Sequence, residues 1–351
     1  MPAPRGLLLF SLPAFLLSAM VQAQDSVPRV VATFSVLGDL VREVAGEGIK
    51  VDVLTPIGAE VHEWELVPSN FIALEHADVV FYNGYGLEQW IDQARATVAD
   101  DVPVVALAET SGFPTLPIAT GEFAGAADPH LWMDPRAAAE YAQVIAATLG
   151  EIQPDSATVF QAHADRVKED LYDLHQELLE QLSELTQEER LLISSEAAFV
   201  YFANAFDFEH DGIWGNNAEE EGSPRQIMRI IDKIREREPA AIFWESTVSE
   251  RHVRSVADET QVQVAGPLYV DSLSEPGGSA PDYQTMLRHN VQLLRDTLGA
   301  SHDRNRCSAG NMRRLCCLPS SAGVGRCFFG AASATVDRYH RPQWSRQVEP
   351  A

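Results

Sequence analysis

Cysteine is missing from nearly all of this chain. Its 351 residues include four, Cys307, Cys316, Cys317 and Cys327, all beyond residue 300, so no disulfide staples the body. A body of about 275 residues can build its core from apolar packing alone, as one large or two modest domains. Lysine is almost as scarce, with Lys50, Lys168 and Lys233 the full set. The chain has 26 basic and 51 acidic residues, and eight of the arginines fall from Ser301 onward, so the body is more acidic still. Such a surface repels nucleic acid and anionic lipid, which argues against both as partners, and it suits a salt-rich habitat. Long apolar runs are absent too, except at the start. There MPAPRGLLLFSLPAFLLSAMVQAQD has one early arginine, Arg5, an apolar run from Leu7 to Val21 and small residues ending at Ala23. This is the pattern of a secretory signal, and the run is shorter than the roughly 20 residues of a membrane-spanning helix. A signal over 1–23 is expected, cleaved to leave Gln24 first. No cysteine near the cut could carry a lipid, so a freely soluble periplasmic protein is expected.

What is present is an alternation of strand and helix patterns. Val30 to Phe34 reads as a strand followed by an amphipathic helix to Gly46. Ile49 to Ile57 reads as a strand, a helix starts at Ser69, and Asp78 to Gly84 is a buried strand. The helical stretch LEQWIDQARATV leads to a strand at Val102 to Leu107. Strands alternating with helices at this spacing indicate a parallel sheet. From Pro154 to about Leu185, Val159, Val167, Leu171, Leu174, Leu178 and Leu182 recur at three and four residues without an internal glycine or proline. That predicts one long rigid helix, on the order of 45 Å. Afterwards RLLISSE, AAIFWES and VQVAGPLY read as strands, separated by the helical stretches AAFVYFANAF, SPRQIMRIIDKIRERE and SERHVRSVADETQ and closed by DYQTMLRHNVQLLRDTLG. The expected fold class is α/β, with two Rossmann-like lobes at 26–150 and 188–299 joined by the helix within 151–187. The tail at 300–351 has opposite charge, no regular period and a cysteine spacing that matches no zinc template. It is expected to be a disordered or spurious extension.

Ligands of open α/β sheets bind beyond the carboxyl ends of strands, and metal-capable side chains stand at four strand-end or loop sites, three of which follow strands directly. His62 lies in the loop TPIGAEVHEWELVPSN. His130 lies in ADPHLWMDP, where Pro129 and Pro135 hold the backbone extended or turning. Glu196 ends LLISSE, and Asp271 follows the strand closing at Tyr269. Two histidines from the first lobe and two carboxylates from the second would converge on the cleft between lobes. Each has a simpler alternative: His62 as one polar residue beside Glu60, Glu63 and Glu65, His130 as a surface histidine after an Asp-Pro turn, Glu196 as a first-turn acid of the next helix, and Asp271 as a turn residue. Asp128 and Asp134, beside His130, are candidate acceptors for its second ring nitrogen. His76, His163, His175, His210, His252 and His289 have no partner ligands in the pattern. The run Glu219 to Glu221 is assigned to a loop before a helix with Ser223 as N-cap and Pro224 at N1.

The motifs GAEVHEWELVPS, ADVVFYNGYGLEQW, DPHLWMDP, LLISSEAAFVYFANAF, NNAEEEGSPRQI, IFWESTVSERHV and LYVDSLSEPG, in that order from about Val30 to Leu298, make the chain resemble the substrate-binding proteins of bacterial ABC importers for zinc, manganese and iron, the group that includes the so-called adhesin lipoproteins. The resemblance implies two α/β lobes joined by a single long helix, a metal held between them by His62, His130, Glu196 and Asp271, delivery to a membrane permease, and no catalysed reaction. A monomer is expected. Zinc receptors of that family commonly have a histidine where this chain has Glu196 and a histidine-rich loop before DPH, whereas SGFPTLPIATGEFAGAA contains none. The chain therefore resembles the manganese or iron branch. Two imidazoles with two carboxylates offer up to six donor atoms, which suits Mn²⁺ better than four-coordinate Zn²⁺, although the affinity order for such donors places Zn²⁺ above Mn²⁺. The competing expectation is a secreted metallohydrolase with the same ligands. It would need an open coordination position and a general base, and no HExxH or similar motif is present.

Overall fold

The computed structural model describes residues 27–118, 123–215 and 223–300. The expected signal, the tail from Ser301 and the Glu219 to Glu221 run lie outside them. The first half is a parallel sheet of β1 (Arg29–Ala32), β2 (Lys50–Val53), β3 (Val79–Tyr82) and β4 (Val104–Ala106), in the order β2-β1-β3-β4. Side-chain alternation along the strands divides the apolar residues between two faces. Val30, Ala32, Val79 and Phe81 join the main core, while Val31 and Val80 join a smaller one with Leu74 and Trp90. The crossovers are α1 (Ser35–Ala45), α2 (Pro68–Glu75) and α3 (Ile91–Arg95), and a short α4 (Leu107–Thr110) follows β4. The helix expected from LEQWIDQARATV is thus reduced to the five residues of α3.

Two long helices follow. Periodicity assigned no helix to α5 (Pro135–Ile152), and α6 (Ala157–Leu182) is shorter than expected, because Pro154–Ser156 form a separate 3₁₀ turn. Its 26 residues extend about 39 Å at the usual rise. Val167, Leu171, Leu174, Leu178 and Leu182 are buried, but Val159 is 49% exposed and lies off the stripe. α5 packs along α6, and its buried residues include Ala137, Ala138, Ala142 and Ala146.

The second half comprises β5 (Leu191–Glu196), α7 (Val200–Phe206), β6 (Glu209–Trp214), α8 (Pro224–Arg237), β7 (Ala241–Glu245), α9 (Arg251–Thr260), β8 (Gln263–Leu268) and α10 (Tyr283–Leu298). β5 pairs with β6 and β7 with β8, both parallel. β6 was not expected: its first three residues, Glu209, His210 and Asp211, hide the strand pattern, and Asp211 is held by Arg229 and Lys233 from α8. Gly212 within it is needed for close approach, since a Cβ there would lie 2.5 Å from the Ala197 backbone nitrogen. Ser223 caps α8 as expected, in a capping box with Gln226 and with Pro224 at N1. The main core is shared by the two halves: Leu37, Phe81, Tyr141, Leu171, Phe202, Phe243 and Leu287 belong to one contiguous cluster.

Candidate metal centre

His62 is carried by the loop between β2 and α2. Trp90 Nε1 donates to Val61 O at 2.8 Å, and Gln89 N donates to His62 O at 3.2 Å, so the backbone on both sides of the imidazole is tied to the segment before α3. His130 precedes the 3₁₀ turn Leu131–Met133. Its loop is anchored by Asn83 Nδ2, which donates to Pro129 O at 2.8 Å. Side chains of the second half complete the hold: Tyr201 Oη donates to Asp128 O at 3.0 Å, and Tyr283 Oη donates to Trp132 O. Glu196 is the last residue of β5, and its N–H donates to the buried Glu245 carboxylate at 3.1 Å. Asp271 lies three residues past β8, where Gly58 N donates to the neighbouring Ser272 Oγ at 2.7 Å.

The structure brings all four predicted residues together. His62 Nε2 is 3.5 Å from Glu196 Oε1 and 4.0 Å from Asp271 Oδ2, and His130 Nε2 is 3.9 Å from Asp271 Oδ1. Donor atoms of His62, His130 and Asp271 lie within 4.8 Å of one another, as do those of Glu60, Glu196 and Asp271. Glu60, read from sequence as part of an acidic loop, therefore belongs to the cluster. The other six histidines do not gather with ligand atoms among the described residues; His210, in β6, meets Ser194 Oγ, and His163 meets Val44 O. Asp128 does what was expected, since its Oδ1 lies 3.0 Å from His130 Nδ1 and also accepts from His130 N. Asp134 does not. Its carboxylate accepts from Arg136 N at the start of α5 and from the Arg136 guanidinium, turned away from the imidazole.

Electrostatics mark the cluster as costly in the metal-free protein. Burial, and then His130, push the His62 imidazolium down to about 3, so this ring is neutral. Burial also opposes charge on His130, but the Asp128 charge and hydrogen bond, with Asp271 and Glu60, outweigh it and raise its basicity. Burial raises Asp271 to about 6 and, with Asp271 beside it, Glu60 to about 8. Glu196 is pushed well above the carboxylate range by burial and by Glu60 and Asp271. His62 Nε2, His130 Nε2, Glu196 Oε1, Asp271 Oδ1 and Glu60 Oε2 are buried without a hydrogen-bond partner. Leaving such atoms unmatched costs on the order of 1–3 kcal/mol each, and a cation would satisfy all of them at once. Two ligands bound to one ion at about 2.1 Å stand roughly 3 to 4.3 Å apart, and the observed separations of 3.5 to 4.0 Å fall in that range.

Comparison with known proteins gives the same direction. The family described as ZnuA, zinc-uptake complex component A periplasmic, matches residues 30–297. The manganese-binding lipoprotein MntA of Halalkalibacterium halodurans is 37% identical over 266 residues, covering 76% of this chain and 87% of that protein. The iron-binding protein YfeA of Yersinia pestis is 34% identical over 306 residues, covering 85% and 97%. Among solved structures, the Mn-bound periplasmic metal binding protein of Candidatus Liberibacter asiaticus superposes with a TM-score of 0.69 at 28% identity over 77% of this chain and 98% of that one. The periplasmic zinc binding protein TroA of Treponema pallidum gives 0.73 at 26% identity over 78% and 99%.

Proposed function

Because the chain belongs to the ZnuA family of periplasmic metal-uptake components, we propose that it is a receptor which takes a divalent transition metal as cargo in the cleft formed by His62, His130, Glu196 and Asp271 and hands it to the membrane permease of an ABC importer. Manganese is the cargo favoured, with Zn²⁺ and Fe²⁺ as alternatives. The observation that carries this reading is the convergence of four unpartnered, buried donor atoms, two imidazole nitrogens and two carboxylate oxygens. Relatives named for manganese and for iron support the choice of a harder ion.

Each residue has a part in capture. Asp128 accepts from His130 Nδ1–H, which leaves the Nε2 lone pair facing the centre. His62, neutral through burial, needs no deprotonation. Glu196 and Asp271 hold protons more tightly than exposed carboxyls do, so metal entry displaces protons and acid opposes capture. No reaction is assigned, since all four groups are used to hold the ion. The receptor is expected in the periplasm, exported by its signal. His130→Ala and Asp271→Ala should each lower Mn²⁺ and Zn²⁺ affinity by at least about 100-fold, beyond what loss of a supporting residue costs. Calorimetry showing unchanged binding in both variants would sink the assignment.

A further inference from the structure

Glu60 and Asp128 occupy equivalent places, each two residues before a histidine and each accepting from its backbone N–H. The distances are 3.1 Å from His62 N to Glu60 Oε1 and 2.9 Å from His130 N to Asp128 Oδ1. Asp128 holds the turn and lies 3.0 Å from the Nδ1 of its own ring. Glu60 is longer by one methylene, and Oε1, the same oxygen that caps the turn, also lies 3.9 Å from His62 Nε2, the ring nitrogen that faces the centre. A Glu60 oxygen lies within 4.8 Å of oxygens from Glu196 and Asp271. Those two side chains are only 3% exposed and each has an unpartnered oxygen. The Glu60 side chain is 23% exposed, but its Oε2 atom is buried and unpartnered, while Glu63 and Glu65 in the same run are exposed. Capping the His62 turn uses one oxygen of Glu60; burying the second unmatched has no structural return.

We propose that Glu60 is a fifth protein ligand, an inference that rests on the receptor reading, and that it biases the centre toward hard divalent ions of coordination number five or six and against four-coordinate zinc. Three carboxylates and two neutral imidazoles form an oxygen-rich set, which suits manganese and high-spin ferrous iron. Selectivity then comes from donor number and geometry, because the intrinsic affinity order favours zinc.

Two variants separate ligation from capping. Glu60→Asp keeps an acceptor for His62 N–H, as Asp128 does for His130, but withdraws the carboxylate from the centre. Glu60→Gln keeps length and cap and removes the charge. Both are compared with the wild-type exported protein by calorimetry with Mn²⁺ and with Zn²⁺, by visible spectra after Co²⁺ loading, and by thermal melting without metal. The expected result is metal-free melting no lower than that of the wild type, Mn²⁺ affinity lower by about 10–100-fold and Zn²⁺ affinity lower by no more than about threefold. Co²⁺ in Glu60→Asp should gain the intense absorption of a four-coordinate ion. Equal losses for both metals, or none, with an unaltered Co²⁺ spectrum would overturn the proposal and leave Glu60 as a turn residue. A wild-type protein that binds neither Mn²⁺ nor Zn²⁺ would overturn the receptor reading as well.

Discussion

Asp128 and Asp134 flank His130 and serve different ends. Asp128 fixes which nitrogen of the imidazole carries its proton, whereas Asp134 is the N-cap of α5 and pairs with Arg136. Asp128→Asn, nearly the same shape without the charge, should lower metal affinity by about 10–100-fold while metal-free stability changes little. Asp134→Ala should leave affinity unchanged and cost about 1–2 kcal/mol in denaturant unfolding, the range for a lost helix cap. The reverse pattern would show that the roles have been exchanged. His62, His130, Glu196 and Asp271 were legible because all four stand together in strand-end or loop positions within the ordered motifs that resemble the metal receptors, although each taken singly has an ordinary structural use. Sequence reading could not separate Asp128 from Asp134, since both adjoin a proline and only the direction of the side chain distinguishes them. Nor could it separate Glu60 from Glu63 and Glu65, because burial within one loop follows from the second half of the molecule closing over it.

At the scale of elements, α6 was legible because leucines spaced by three and four have no other reading. α5 was not, because its buried face is mainly alanine, which is only weakly apolar and gives a faint period. Small residues at buried positions leave little spare room around α5 and make its packing sensitive to volume. Leu178→Ala, at a fully buried position on α6, should cost about 2–5 kcal/mol. Ala142→Leu, also fully buried on α5, should cost about 1–3 kcal/mol through overpacking. Denaturant midpoints would measure both, and a neutral Ala142→Leu would mean that the core around Ala142 has room to spare. β6 escaped notice for a related reason: the charges on its first residues are matched by α8, a partner distant in sequence.

For the whole molecule, buried carboxyls set how stability depends on pH. Glu60 and Glu245 are raised by burial to about 8 and Glu43 to about 7, whereas carboxyls of an unfolded chain titrate near about 4. Between those values the folded protein holds more protons than the unfolded chain, so its stability falls as pH rises. His62 at about 3 and His210 at about 4 act in the opposite sense, but only below the ordinary histidine value of about 6.5. The metal-free protein should therefore melt at progressively lower temperature from about pH 6.5 to 8. The gain in melting temperature on adding Mn²⁺ should grow over the same interval, because bound cation favours the ionised carboxylates. Scanning calorimetry with and without metal would test this; a metal-free melting temperature that rises across the interval contradicts it.

The core shared by the two halves has a further consequence, for a broken chain. After α6 the backbone passes through an exposed 3₁₀ turn, Gln187–Glu189, held by the Thr186 and Glu189 capping box. A peptide bond cut there severs connectivity but leaves the interlocked side chains of α1, α5, α6 and α10 in place. The two fragments should elute as one particle, melt together and still retain metal, so that the covalent link between halves is dispensable once the protein has folded.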